Sequence, residues 1–166
     1  MGQRSNYTKV EREHNLFDYR DGKLFWKNPT SARVKVGCQA GSLTTNGYFI
    51  VRYDKRLRML HRVIWDMHNE LKCEGYLVDH IDGDRTNNRI ENLRLCDYSQ
   101  NAANSFGHKD SRISSKGVSF HRDKYRAQIA HRGKRFHLGL FETEEEARLA
   151  YNKKATELYG EYHRQA

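Results

Sequence analysis

Apolar positions come in short runs along this chain, and their period changes from one stretch to the next. Leu16-Phe17-Asp18-Tyr19 and Lys23-Leu24-Phe25-Trp26-Lys27 stand on either side of Arg20-Asp21-Gly22. An Asp-Gly pair between two such runs predicts a hairpin. Pro29, the single proline, ends this run; Val34 and Val36 then alternate about Lys35, and Gly37 and Gly41 interrupt. Gly47–Tyr53 (GYFIVRY) gathers aromatic and β-branched residues after Asn46 and predicts a strand. The section up to residue 59 therefore reads as a small, twisted antiparallel sheet. Residues 1–14, polar and charged, read as a frayed end or basic arm before it. The period then lengthens. Leu60, Ile64, Met67 and Leu71 fall on one helical face with Val63 alongside, so residues 60–71 predict an amphipathic helix with Trp65 packed beneath it. His61 and His68 on that helix read as structural.

Residues 77–104 hold the densest chemistry. Leu77-Val78 reads as the end of a strand, with Asp79-His80 at its exit and an Asp/Gly/Asn-rich connection through Asn88. Ile90, Leu93 and Leu95 make a second short extended segment. Asp97 with Gln100 three residues on is a capping box that opens a helix. Strand, loop, strand and helix would let a carboxylate, an imidazole and the Asn101 carboxamide converge. With that set a hard divalent cation and a general base can share one site. Asp82-Gly83-Asp84 is ordinary turn chemistry. It lacks the Asp-x-Asp-x-Asp-Gly order and closing Glu of a calcium loop.

After residue 104 the pattern lapses. Residues 105–116 (SFGHKDSRISSK) have no periodicity and read as a linker. Gly117–His121, Tyr125–His131 and Lys134–Phe141 follow as three strands, with Arg122-Asp123-Lys124 and Arg132-Gly133 as turns. Thr143 with Glu146 caps a helix whose face carries Ala147, Tyr151, Ala155 and Leu158, and Gly160 ends it. The fold class is α+β in four parts: a β-rich, DNA-contacting region at 1–59, a core at 60–104, the linker at 105–116, and a sheet-and-helix domain at 117–166.

Composition narrows the function. Of 166 residues, 37% are apolar and 31% charged, which favours several small cores over one large one. The formal charge of +9 favours a polyanionic partner, nucleic acid or an anionic membrane surface. No run of about eighteen apolar residues spans a bilayer, and the polar N-terminus is not a secretory signal. Cys38, Cys73 and Cys96 form no Cys-x-x-Cys pair, which speaks against a disulfide framework or structural zinc and suits a reducing cytoplasm.

Asp79-His80, Asn87-Asn88-Arg89-Ile90-Glu91-Asn92-Leu93 and Ser99-Gln100-Asn101-Ala102-Ala103-Asn104 resemble, in order and spacing, the HNH endonucleases. The likeness is to the ββα-metal version found in phage and intron-encoded homing enzymes. The resemblance implies that Asp79 is a metal ligand and His80 the base that activates water. It implies that Asn92 braces the loop and holds His80, and that Asn101 is the second metal ligand. One Mg²⁺ or Mn²⁺ per site, double-stranded DNA as substrate and the cytoplasm of a bacterial host follow from it. A small-molecule cofactor, a membrane and a second subunit on DNA do not.

The C-terminal segment resembles the ethylene-response-factor (Apetala-type) DNA-binding domain. The likeness rests on Lys116-Gly117-Val118, Tyr125–Ile129, His137–Phe141 and Thr143–Ala147 through Ala150-Tyr151. It implies that Arg122, Arg126, Arg132, Lys134 and Arg135 contact DNA. Charge agrees: residues 107–141 hold nine Lys and Arg against two Asp and Glu, and residues 142–166 hold four against six, so the sheet should face phosphate. Lys35 and Arg52 are candidates for the same task in the first sheet. A non-catalytic DNA-binding regulator on an HNH scaffold, and an RNA-binding factor, remain as alternatives; cleavage of a plasmid against mere retardation separates the first from a nuclease.

Overall fold

The structure, a computed structural model, describes residues 8–105, 113 and 115–163. It is a mixed α+β fold that divides into two compact units, Met1–Leu95 and Cys96–Ala166.

The first unit opens with α1 (Lys9–Leu16), where the sequence reads as a frayed arm. Thr8 caps it and Glu11 closes the capping box, a local gain of about 1 kcal/mol. What docks the helix is polar: the Tyr53 hydroxyl donates to the fully buried Glu13, Lys9 pairs with the buried Asp66, and Arg12 pairs with Asp54. Such contacts leave no apolar period, which is why the pattern missed it. Strands β1 (Phe17–Arg20) and β2 (Lys23–Trp26) form the expected hairpin, Arg20 opposite Lys23. Asp21 and Gly22 turn it with φ of 48° and 78°, the double positive φ that matches strand twist.

The single sheet expected here is two. β3 (Gln39–Ala40) joins β2, whereas β4 (Ser42–Leu43), β5 (Phe49–Tyr53) and β6 (Arg56–Met59) form a separate antiparallel sheet. Val34 and Val36 lie in turns and not in a strand; Val36 is exposed, so its alternation reflects no buried face.

Strand β6 runs directly into α2 (Leu60–His68). The helix stops three residues short of Leu71, which is exposed. Asn69 ends it by donating its backbone and side-chain N–H groups to the Trp65 carbonyl, and the Lys72 ammonium binds the Asp66 carbonyl. One core joins these elements: Phe17, Leu24, Trp26, Val51, Leu60, Val63 and Ile64 are all buried in it. β7 (Leu77–His80) and β8 (Leu93–Cys96) then pair as a two-stranded sheet, carrying Val78 and Leu93 into the same core.

In the second unit, α3 (Tyr98–Asn104) begins with the expected Asp97–Gln100 capping box. β9 (Val118–His121), β10 (Lys124–His131) and β11 (Lys134–Phe141) form an antiparallel sheet with β10 central. α4 (Glu144–Tyr159), capped by Thr143 and Glu146, packs Ala147, Tyr151 and Ala155 inward, close to Ala127 and Ile129 of β10. Gly117 is obligatory here: its φ is +71°, and a Cβ would stand 2.2 Å from the Tyr151 ring. Of the expected linker at 105–116, residues 106–112 and 114 lie outside the described residues. Among the described residues no helix is long and apolar enough to cross a membrane.

Candidate active site

β7 delivers Asp79 and His80 to its exit, 8% and 4% exposed. A carboxylate does not stay this deep without a counter-ion. Arg94, on the partner strand β8, supplies one: its Nε and Nη2 donate to Asp79 Oδ2 at 3.2 and 3.1 Å.

His80 Nε2 lies 3.0 Å from Asn88 Oδ1, while the Asn88 amide donates to the Thr86 carbonyl. The acceptor end of Asn88 therefore faces the imidazole. In the neutral ring Nε2 carries the proton, and Nδ1 carries the lone pair. Asn88 itself is held from behind. Gly22, in the β1–β2 turn, comes so near that a Cβ would stand 2.8 Å from the Arg89 amide and 3.0 Å from the Asn88 carbonyl carbon. Asp21 pairs with Arg89 at 2.9 Å, and the Tyr19 hydroxyl accepts from the Ile90 amide. The first hairpin thus serves the site as a buttress, which no local motif announces.

Asn92 braces the loop from inside. Its side chain accepts from the Asp82 amide and donates to the Asp82 carboxylate and the Asn87 carbonyl, and its carbonyl accepts from the Ile81 amide. The bond to the His80 ring comes from Asn88, a residue the motif reading passed over. Burial pushes the Asp82 carboxyl up, but donors from Asn87, Asn92 and the Asp84 amide outweigh it and hold it below the ordinary carboxylate value.

His61, read from sequence as structural, reaches this site from α2. Its ring meets His80 edge-to-face, centroids 5.0 Å apart at 70°, and Tyr48 flanks both, 5.6 Å from His61 and 6.2 Å from His80. Burial, and after it the neighbouring His80 and Arg62, bring the His61 pKa down to about 3, so the ring is neutral at ordinary pH.

Asn101 sits exposed on α3, its amide bonded to the Asp97 carbonyl. Asp79 and Asn101 thus belong to different units. Among the described residues no three His, Cys, Asp or Glu side chains gather as a metal cluster. The donors the motif supplies, one carboxylate and one carboxamide, suit a hard cation that takes its remaining oxygens from water and phosphate.

The expected DNA-contacting residues are spread over both units. Arg126 alternates with the helix-facing Ala127, so it lies on the sheet's outer face, as does Arg135 opposite Ala130. Lys134 pairs with His131, whose ring rests on Tyr159, and so belongs to the helix side. Arg122 and Arg132 occupy the two turns, and both are exposed. Lys35 and Arg52 are exposed in the first unit, in a turn and on β5.

Residues 58–103, which include the whole β7–loop–β8–α3 stretch, match the family model of the HNH endonucleases. The chain therefore carries an HNH endonuclease domain. A mimivirus protein (Acanthamoeba polyphaga mimivirus), named an uncharacterized HNH endonuclease, is 36% identical to it over 114 residues, 68% of this chain and 59% of that protein. The chain thus spans less than two thirds of that relative's length. Protein 3.8 of Escherichia phage T7 is 29% identical over 106 residues, 63% of this chain and 87% of its own length. No solved structure matches the chain.

Proposed function

We propose that this chain, with its HNH domain, is a metal-dependent endonuclease of the homing type that hydrolyses phosphodiester bonds in double-stranded DNA. The observation that carries the reading is the ordered base: His80, bonded through Nε2 to Asn88, keeps its lone pair on Nδ1 beside the buried carboxylate of Asp79. His80 is the general base, and takes a proton from the attacking water at Nδ1. Asp79 and Asn101 would hold one Mg²⁺ or Mn²⁺. When bound, the ion supplies charge neutralisation at the pentavalent phosphate and the departing 3′-oxygen. Arg94 keeps Asp79 ionised and aimed, and Asn92 keeps the loop closed around both.

The second unit binds DNA in the manner of ethylene-response-factor domains, with Arg122, Arg126, Arg132, Lys134 and Arg135 toward phosphate. Lys35 and Arg52 add contacts from the first unit. The protein acts as a monomer on DNA in the cytoplasm of a bacterial host, and a single site per chain suits nicking.

The competing reading, a non-catalytic DNA-binding regulator, draws on the Arg94–Asp79 pair, which already occupies one oxygen of the proposed ligand. A supercoiled plasmid with Mg²⁺ decides between them. The wild-type protein should nick or linearise it, excess chelator should stop the reaction, and His80→Ala should retain DNA retardation while cutting on the order of 10²- to 10⁴-fold more slowly. Unimpaired cutting by His80→Ala removes the base assignment; retardation without any cutting by the wild type establishes the regulator.

A further inference from the structure

We propose that His61 is a positioning residue: with Tyr48 it encloses the His80 ring and fixes the direction in which Nδ1 points. The inference rests on the reading of His80 as the base. The bond from Nε2 to Asn88 pins one corner of the imidazole, but a ring held at one corner still turns about its long axis and carries Nδ1 with it. The edge-to-face contact with His61, centroids 5.0 Å apart, closes that rotation.

His61 is itself well fixed. It is the second residue of a helix that leaves β6 without a connecting loop, and it is 5% exposed. Its Nδ1 is buried and has no hydrogen-bond partner, so no bond at that atom accounts for its place. What the ring does offer is contact with two other rings, His80 and Tyr48. Tyr48 is held from outside: the Arg85 guanidinium lies 4.9 Å above its ring and is tied to the Asn46 carbonyl at 2.9 Å. Tyr48 is tied to Thr44 as well, through its backbone amide and carbonyl. A neutral aromatic ring at position 61 is therefore the requirement, and its nitrogens are incidental.

The test compares His61→Leu, which fills the space without a ring, with His61→Phe, which restores one. Both are assayed in the full chain on a supercoiled plasmid with Mg²⁺, under single-turnover conditions, and again in the His80→Ala background. A misdirected base of this kind costs up to about 10²-fold. His61→Leu should therefore cut on the order of 10- to 100-fold more slowly with DNA retardation unchanged, and His61→Phe should stay within about threefold of wild type. Adding His61→Leu to His80→Ala should change nothing further, because the base it positions is gone. Wild-type cutting by His61→Leu overturns the inference. So does a folded His61→Phe as slow as His61→Leu, or an equal loss in the His80→Ala background. Should His61→Leu fail to fold, Tyr48→Leu decides: slowed cutting confined to the His80-containing background supports the proposal, and a wild-type rate overturns it. A wild-type protein that does not cut, or a His80→Ala variant that cuts fully, overturns the underlying nuclease reading instead.

Discussion

His61 gives up its charge to sit where it does. In the unfolded chain it binds a proton near pH 6.5; in the fold, burial and the neighbours His80 and Arg62 delay that to about 3. Between those values the unfolded state holds the extra proton, so this contribution to stability is complete above about pH 6.5 and is lost as the pH falls toward 3. His61→Phe abolishes the term. Its melting temperature should therefore drop less than that of wild type between about pH 7 and pH 4, as followed by circular dichroism; equal drops would show that other groups set the acid limit. Asn88 is the other residue whose role exceeds its appearance. It is 2% exposed and presents its carbonyl to His80 Nε2. Asn88→Ala leaves that N–H without an acceptor and the ring free to swing. It should slow single-turnover cleavage on the order of 10- to 100-fold with DNA retardation intact; a wild-type rate would reduce Asn88 to loop filling.

Helix α3 shows what an element needs beyond its own sequence. Its seven residues are two turns, too few to persist alone. The Asp97–Gln100 box secures its start, and Ser99 and Ala103 contribute to the packing near Tyr159. Its end is secured by Lys116, whose ammonium donates to the Ala102, Ala103 and Ser105 carbonyls. Burial brings the Lys116 pKa down to about 8, which still leaves it charged at neutral pH for these bonds. Lys116→Met keeps the stem and removes the donor. Amides of residues 101–104 should then exchange about tenfold faster, the equivalent of one charge-assisted bond, and cleavage should fall because Asn101 rides on this helix. Exchange at the wild-type rate would show that Asp97 alone suffices. The sequence pattern could place the capping box, because its signal is local. It could not reveal Lys116, which stands in a stretch that reads as linker. The same division holds elsewhere. The β1–β2 hairpin, β10, β11 and α4 declare themselves through alternation, turn residues and caps. Helix α1 does not, because Glu13, Lys9 and Arg12 anchor it through partners 40 or more positions away. At the site, Asp79 and His80 were legible as a motif; Asn88, His61 and the Gly22 turn were not, since their meaning depends on which element folds back against them.

Charge acts on the scale of the whole molecule. Both units are net basic: residues 1–95 hold 17 Lys and Arg against 12 Asp and Glu, and residues 96–166 hold 13 against 9. Within the second unit the charge is sorted. The sheet's outer face presents Arg126 and Arg135, while the first turn of α4 is Glu144-Glu145-Glu146. A polyanion approaching that unit is drawn to the sheet and repelled from the helix's first turn. Each phosphate neutralised releases condensed counter-ions, so the plot of log affinity against log salt should lose about one unit of slope for every cation removed from the contact. Arg126→Ala and Arg135→Ala should each lower the slope by about one, measured by fluorescence anisotropy on a duplex in chelator, with salt between about 50 and 200 mM. Lys134→Ala, on the helix side of the sheet, should lower it less. Lys153→Ala, on exposed α4, should leave it unchanged. Because the first unit is also basic, the double variant Arg126→Ala/Arg135→Ala should retain a substantial slope. A slope unmoved by both arginines, or moved equally by Lys153, would mean that the sheet's outer face is not where the phosphate backbone lies.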